Sequence, residues 1–157
     1  MEYLLINNVQ YPLKEQYYDM SLLAYLRQKL GFTGTKCGCG VGQCGSCNII
    51  VDGKIARSCL LKCGKVIGKN IRTIEGLAVD GKLHPVQESF LVCGVMQCGY
   101  CTPGMVLSAK ALLDKNPHAT KAEIQRAMSG NLCRCTGYTK IVKAVEMARD
   151  AKGGTEA

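Results

Sequence analysis

Tryptophan is absent from the 157 residues, and Phe, His and Pro number only 2, 2 and 4. So few aromatic faces argue against a surface that stacks bases. Lys and Arg outnumber Asp and Glu by 20 to 12, yet the excess is spread out. Residues 1–76 hold 10 basic and 5 acidic side chains, and residues 77–157 hold 10 and 7. No basic run marks a phosphate track, so nucleic acid is not an expected partner. A mildly basic surface suits docking to acidic proteins. No apolar run approaches the roughly 18–20 residues of a membrane span. The opening MEYLLINNVQYPLKEQ lacks a basic start, a long apolar centre and a small-residue cleavage site. A cytoplasmic chain is therefore expected.

Cysteine is what the sequence has in excess: 11 residues, an odd number. In a cytoplasmic chain such cysteines read as ligands rather than disulfides. Four of them, Cys37, Cys39, Cys44 and Cys47, fall within thirteen residues, TKCGCGVGQCGSC. The spacing Cys39-x4-Cys44-x2-Cys47, completed by Cys59, is the plant-type [2Fe–2S] pattern. An oxidised four-thiolate cluster is anionic and needs amide donors around its sulfurs. Gly38, Gly40, Gly42 and Gly45 let the backbone curl close enough to supply them. A structural zinc site is the competing reading, but zinc usually joins two short knuckles, whereas Cys39 and Cys59 each stand alone.

A second set is Cys98-x2-Cys101 with Cys133-x-Cys135. Its spacing leaves zinc and iron–sulfur equally open. Its placement favours the anionic cluster, because each pair precedes an expected helix N-terminus, where free N–H groups and the dipole favour negative charge. His84 and His118 have no cysteine at suitable spacing, which argues against a Rieske centre, and both are expected to be surface or packing residues. Cys37, Cys63 and Cys93 are left over and are expected to act as small buried apolar side chains.

Around these motifs the first half reads as strands on one helix. Asn7-Asn8 and Asp52-Gly53 are two-residue hairpin signals, and Ser21 caps LLAYLRQKL, which stops at Gly31. A last strand is expected near 70–74. Beyond the Gly-containing segment 75–81 the chain reads as four helices: 83–92, one with Thr102 as N-cap before Pro103, one opened by a Thr120/Glu123 capping box, and one after Gly137. Residues 153–157 read as a frayed tail. The expected domains are 1–76 and 77–157, an α+β module followed by a bundle.

The motifs GTKCGCGVGQCGSC, SC at 58–59, QCGYCTPGMVLS at 97–108 and GNLCRCTGY at 130–138 together resemble the iron–sulfur subunit of molybdenum hydroxylases. That family includes the xanthine dehydrogenase, aldehyde oxidase, carbon monoxide dehydrogenase and nicotinate dehydrogenase types. The resemblance covers nearly the whole chain. It implies a plant-ferredoxin-like β-grasp domain followed by a four-helix bundle, each holding one [2Fe–2S] cluster. It maps Cys39, Cys44, Cys47 and Cys59 onto the first cluster and Cys98, Cys101, Cys133 and Cys135 onto the second. It also implies that Gln97 hydrogen-bonds the pterin of a molybdopterin cofactor, with Cys135 beside it; read without the resemblance, Gln97 is a polar helix-end residue. Cys37 departs from the family motif. No G-x-G-x-x-G lies in a strand–turn–helix setting, so molybdopterin and FAD are expected on separate partner subunits. The function implied is electron relay from the molybdopterin centre through two clusters to FAD. The substrate is expected to be an N-heteroaromatic such as nicotinate or a purine. A free-standing soluble ferredoxin and a zinc-stapled interaction module are the alternatives.

Overall fold

In a computed structural model that describes residues 1–153, a five-stranded sheet is followed by a helical unit. The strands are β1 (Tyr3–Ile6), β2 (Val9–Pro12), β3 (Asn48–Val51), β4 (Lys54–Arg57) and β5 (Asn70–Arg72), and α1 spans Leu22–Gln28. The sheet order is β2-β1-β5-β3-β4, with β1 and β5 parallel and the other pairs antiparallel. Both tight hairpins form as expected. Asn7 and Asn8 have φ of 52° and 67°, and Asp52 and Gly53 have 48° and 78°. Two consecutive positive φ values are what a type I′ turn demands. The second turn also anchors the neighbouring strand, because the Asp52 carboxylate accepts from Asn70 N–H at 2.9 Å.

Ser21 caps α1 by accepting from Ala24 N–H at 3.2 Å. Leu22, Tyr25 and Leu26 of α1 pack on Leu4, Ile6, Ile49 and Ile71 of the sheet. The other face of β3 is covered as well. Ile50 belongs to a second core built by the helices, which explains the unbroken apolar run Ile49-Ile50-Val51.

That second core lies among α2 (Pro85–Val92), α3 (Thr102–Lys115), α4 (Lys121–Met128) and α5 (Thr139–Gly153). Phe90, Met105, Leu113, Ile124, Met128, Ile141 and Val145 fill it, each no more than 1 % exposed. Helix α2 packs on α5 and α3, and α4 packs on α3 and α5. The Thr120/Glu123 capping box is present at α4. His84 does more than fill space: its Nδ1 accepts from Val86 N–H at 3.2 Å, capping α2. Several boundaries differ from expectation: α1 ends at Gln28 rather than running on to Gly31, and α2 starts at Pro85 rather than at 83. Thr102 is the first residue of α3 and Cys101 is its N-cap, because the turn that carries the cysteine runs directly into the helix. Gly153 belongs to α5; the rest of the expected frayed tail, 154–157, lies outside the described residues. No helix among the described residues is long and apolar enough to cross a membrane.

Candidate metal centres

The two cysteine sets occupy two loops that meet. In the first loop the backbone wraps around sulfur. Cys39 Sγ accepts N–H groups from Val41 (3.4 Å), Gln43 (3.3 Å) and Cys44 (3.3 Å). Cys44 Sγ in turn accepts from Cys39 N–H at 3.3 Å. These amides hold the Cys39 thiol down at about 6, Cys44 N–H contributing most. The thiolate is the form that binds metal. A Cβ on Gly38 would meet Cys44 Sγ at 2.6 Å, so glycine is required there for the close approach.

The β3–β4 hairpin returns Cys59 to this loop. Ser58 N–H and Oγ both bond Cys47 O, at 3.3 and 2.8 Å. Burial, and after it the hydrogen bond with Cys47, raise the Cys59 thiol to about 11. The quartet is thus organised as two touching pairs, Cys39 with Cys44 and Cys47 with Cys59.

The helical quartet repeats this arrangement. Cys135 Sγ lies 3.7 Å from Cys98 Sγ. Cys101 and Cys133 share a hydrogen bond, and burial, followed by that bond, drives the Cys101 thiol up to about 12. Burial opposes ionisation of Cys133 too, but the Thr136 hydroxyl and the Thr136 and Cys135 amides outweigh it and leave that thiol lowered. Thr136 Oγ1 donates to Cys133 Sγ at 3.1 Å. Tyr138, at φ 69°, staples the loop: its hydroxyl accepts from Cys133 N–H at 2.9 Å and donates to Asn131 O at 2.7 Å.

Two pairs per site suit a two-metal cluster. Metal–thiolate bonds of about 2.3 Å at a tetrahedral angle place two sulfurs about 3.7 Å apart, as Cys98 and Cys135 stand. The donor set therefore fits two [2Fe–2S] clusters.

The three spare cysteines differ from one another. Cys63 is fully buried in the sheet core, as expected, and Cys93 is half-buried against the helical core. Cys37 contradicts the expectation of burial, for it is exposed. Its carbonyl accepts from Tyr100 OH at 2.6 Å. Gln97 is exposed in the α2–α3 loop beside exposed Cys98, rather than ending a helix. Cys135 is exposed as well.

Sequence reasoning missed the polar groups that join the loops: Asn48, Arg57, Ser108 and Asn131. Their signal was weak. Arg57 and Asn131 each stand two residues ahead of a motif cysteine, and nothing in their spacing says what they bond.

Comparison with known proteins agrees with this geometry. Residues 9–67 match the model of the 2Fe-2S iron-sulfur cluster binding domain, and residues 73–146 match that of the [2Fe-2S] binding domain. The chain is 54% identical over 127 residues to the nicotinate dehydrogenase small FeS subunit of Eubacterium barkeri, covering 81% of each chain. It is 46% identical over 125 residues to the xanthine dehydrogenase iron-sulfur-binding subunit of Escherichia coli O157:H7, covering 78% of this chain and 79% of that one. The solved structure of quinoline 2-oxidoreductase from Pseudomonas putida 86 superimposes with a TM-score of 0.89 at 40% identity, covering 100% of this chain and 98% of the matched chain. The chain belongs to the family of iron–sulfur small subunits of molybdenum hydroxylases, electron-transfer subunits that carry two [2Fe–2S] clusters within multi-subunit oxidoreductases.

Proposed function

We propose that Cys39, Cys44, Cys47 and Cys59 ligate one [2Fe–2S] cluster and Cys98, Cys101, Cys133 and Cys135 the other. The division between the two units falls at residues 76 and 77. The pairwise approach of the thiols within each quartet carries this reading. When bound, each cluster accepts and releases one electron. The chain's own part is to hold the sulfurs, supply N–H and O–H donors to them, and control their exposure.

The family resemblance supplies the direction of flow, and the exposure of each site is compatible with it. Beside the helical quartet, Gln97 and Cys135 are exposed for contact with the molybdopterin of a partner subunit. Leu91, Val92, Met96 and Tyr100, on the same stretch of chain as Gln97, are exposed as well and offer apolar surface for docking. Cys39 is exposed at the other quartet, flanked by exposed Val41 and Leu60, and this end faces an FAD subunit. In this reading electrons enter at the Cys98 quartet and leave from the Cys39 quartet. We read the complex as cytoplasmic and its substrate as an N-heteroaromatic, with nicotinate first. The 54% identity to a nicotinate dehydrogenase subunit and the likeness to a quinoline oxidoreductase support that substrate class. A free-standing ferredoxin would leave the helical quartet without a partner.

Affinity capture of the chain under native conditions, with partners identified by mass, tests the assembly. The expected result is co-purification with two further chains that carry molybdopterin and FAD. Recovery as a monomer alone would contradict it.

A further inference from the structure

Arg57 is not among the ligands, yet it touches both loops. It is half-buried at the end of β4. Its Nε donates to Gly42 O at 3.1 Å, and its Nη2 donates to Gly130 O at 2.8 Å. Its Nη1 donates to Asn48 Oδ1. Gly42 lies between Cys39 and Cys44, and Gly130 lies three residues before Cys133. One guanidinium thus spans the two cysteine loops.

Beneath it lies a buried polar network. Asn48, Ser108 and Asn131 are 2 %, 6 % and 1 % exposed. Asn48 Nδ2 donates to Ser108 Oγ at 2.8 Å, and Ser108 Oγ donates to Asn131 Oδ1 at 2.9 Å. Asn131 Nδ2 donates to Gly45 O at 3.1 Å. Leu132 N–H, next to Cys133, donates to Cys44 O at 2.8 Å. The backbones also press together: a Cβ on Gly45 would meet Gly130 O at 2.6 Å, and one on Gly104 would strike Gly45 O. Such a seam has one fitted arrangement, because any slippage would strand buried polar groups.

The oxygens that Arg57 meets are two backbone carbonyls and one side-chain amide, so these bonds leave its positive charge uncancelled. A half-buried charge is less screened than a surface one. Both neighbouring sites gain negative charge on reduction, and net charge is one of the determinants of cluster potential.

We propose that Arg57 is a positioning residue that clamps the two cysteine loops at a fixed separation and, through its charge, raises the reduction potential of both sites. The proposal rests on the ligand assignment above. Its two parts separate by substitution. Arg57→Lys keeps the charge but loses the planar fork that reaches three oxygens. Arg57→Met loses both. Ser108→Ala removes one link of the network and leaves Arg57 in place.

The measurement is electron paramagnetic resonance of the reduced complex, combined with a redox titration. In the wild-type complex the two reduced sites are expected to split one another's signals through magnetic coupling, and the size of that splitting reports their separation. Arg57→Met is expected to alter that splitting and to lower both midpoint potentials, with iron content unchanged. Arg57→Lys is expected to show the altered splitting with midpoints restored toward wild type. Ser108→Ala is expected to alter the splitting alone, to a smaller degree. Where Arg57→Met does not assemble, the Lys and Ala variants carry the test. Unchanged splitting in all variants would overturn the clamp, and midpoints that fall equally in the Lys and Met variants would overturn the charge effect. A wild-type complex without two [2Fe–2S] signals would instead sink the ligand assignment, so the two failures are distinguishable.

Discussion

Two cysteines separated by one glycine have different fates in this loop, and the amides decide which is which. Cys39 sits where three N–H groups converge on its sulfur. Cys37 offers its carbonyl to Tyr100 and leaves its side chain exposed. The spacing already pointed to Cys39, because it alone gives the x4 gap to Cys44. We expect Cys37→Ser to keep both [2Fe–2S] signals in electron paramagnetic resonance, and Cys39→Ser to lose the signal of the ferredoxin-type site. An exchange of these outcomes would reverse the assignment. Local spacing makes candidate ligands legible in a sequence. Arg57 and Tyr138 were not legible, because their partners lie across a loop or a unit boundary and no spacing rule encodes them.

Hairpins and helix starts were readable because turn and cap chemistry is local. Asn7-Asn8 and Asp52-Gly53 impose their own backbone conformation, and Thr120 with Glu123 closes the first turn of α4. The start of α3 was misread by one residue, since a Thr-Pro pair resembles a cap but the cysteine turn supplies it instead. Thr120→Ala is expected to cost about 1 kcal/mol, read as a lower urea midpoint, with Thr120→Ser restoring most of it. The Thr120 amide, then its hydroxyl, hold the Glu123 carboxylate below its ordinary value. A depressed carboxylate stabilises the fold above its unfolded pKa, and that contribution is lost as pH falls through the folded one. The stability gap between wild type and Thr120→Ala should therefore narrow in acid, and a gap that widened there would contradict the capping account.

At the scale of the whole molecule, two cores meet along β3, where Ile49 packs toward α1 and Ile50 toward the helical unit. That shared strand begins in the polar seam, at Asn48, so the two cysteine quartets are brought together by the packing of the units. Composition and motifs foretold two modules with one site each. They did not foretell the seam, because contacts between units depend on which faces are left exposed after each unit folds. The exposed apolar side chains near both quartets, Val41 and Leu60 by one and Met96 and Tyr100 by the other, agree with a chain that works inside an assembly.

The central claim is that two separate cysteine quartets each hold a [2Fe–2S] cluster and together form one relay. Iron and labile-sulfide analysis of the purified complex, joined to a reductive titration followed by electron paramagnetic resonance, tests it most directly. The account predicts about four irons and four labile sulfides per chain, with two distinct signals that appear on partial reduction. A colourless zinc protein, or a single signal accounting for all the iron, would contradict it.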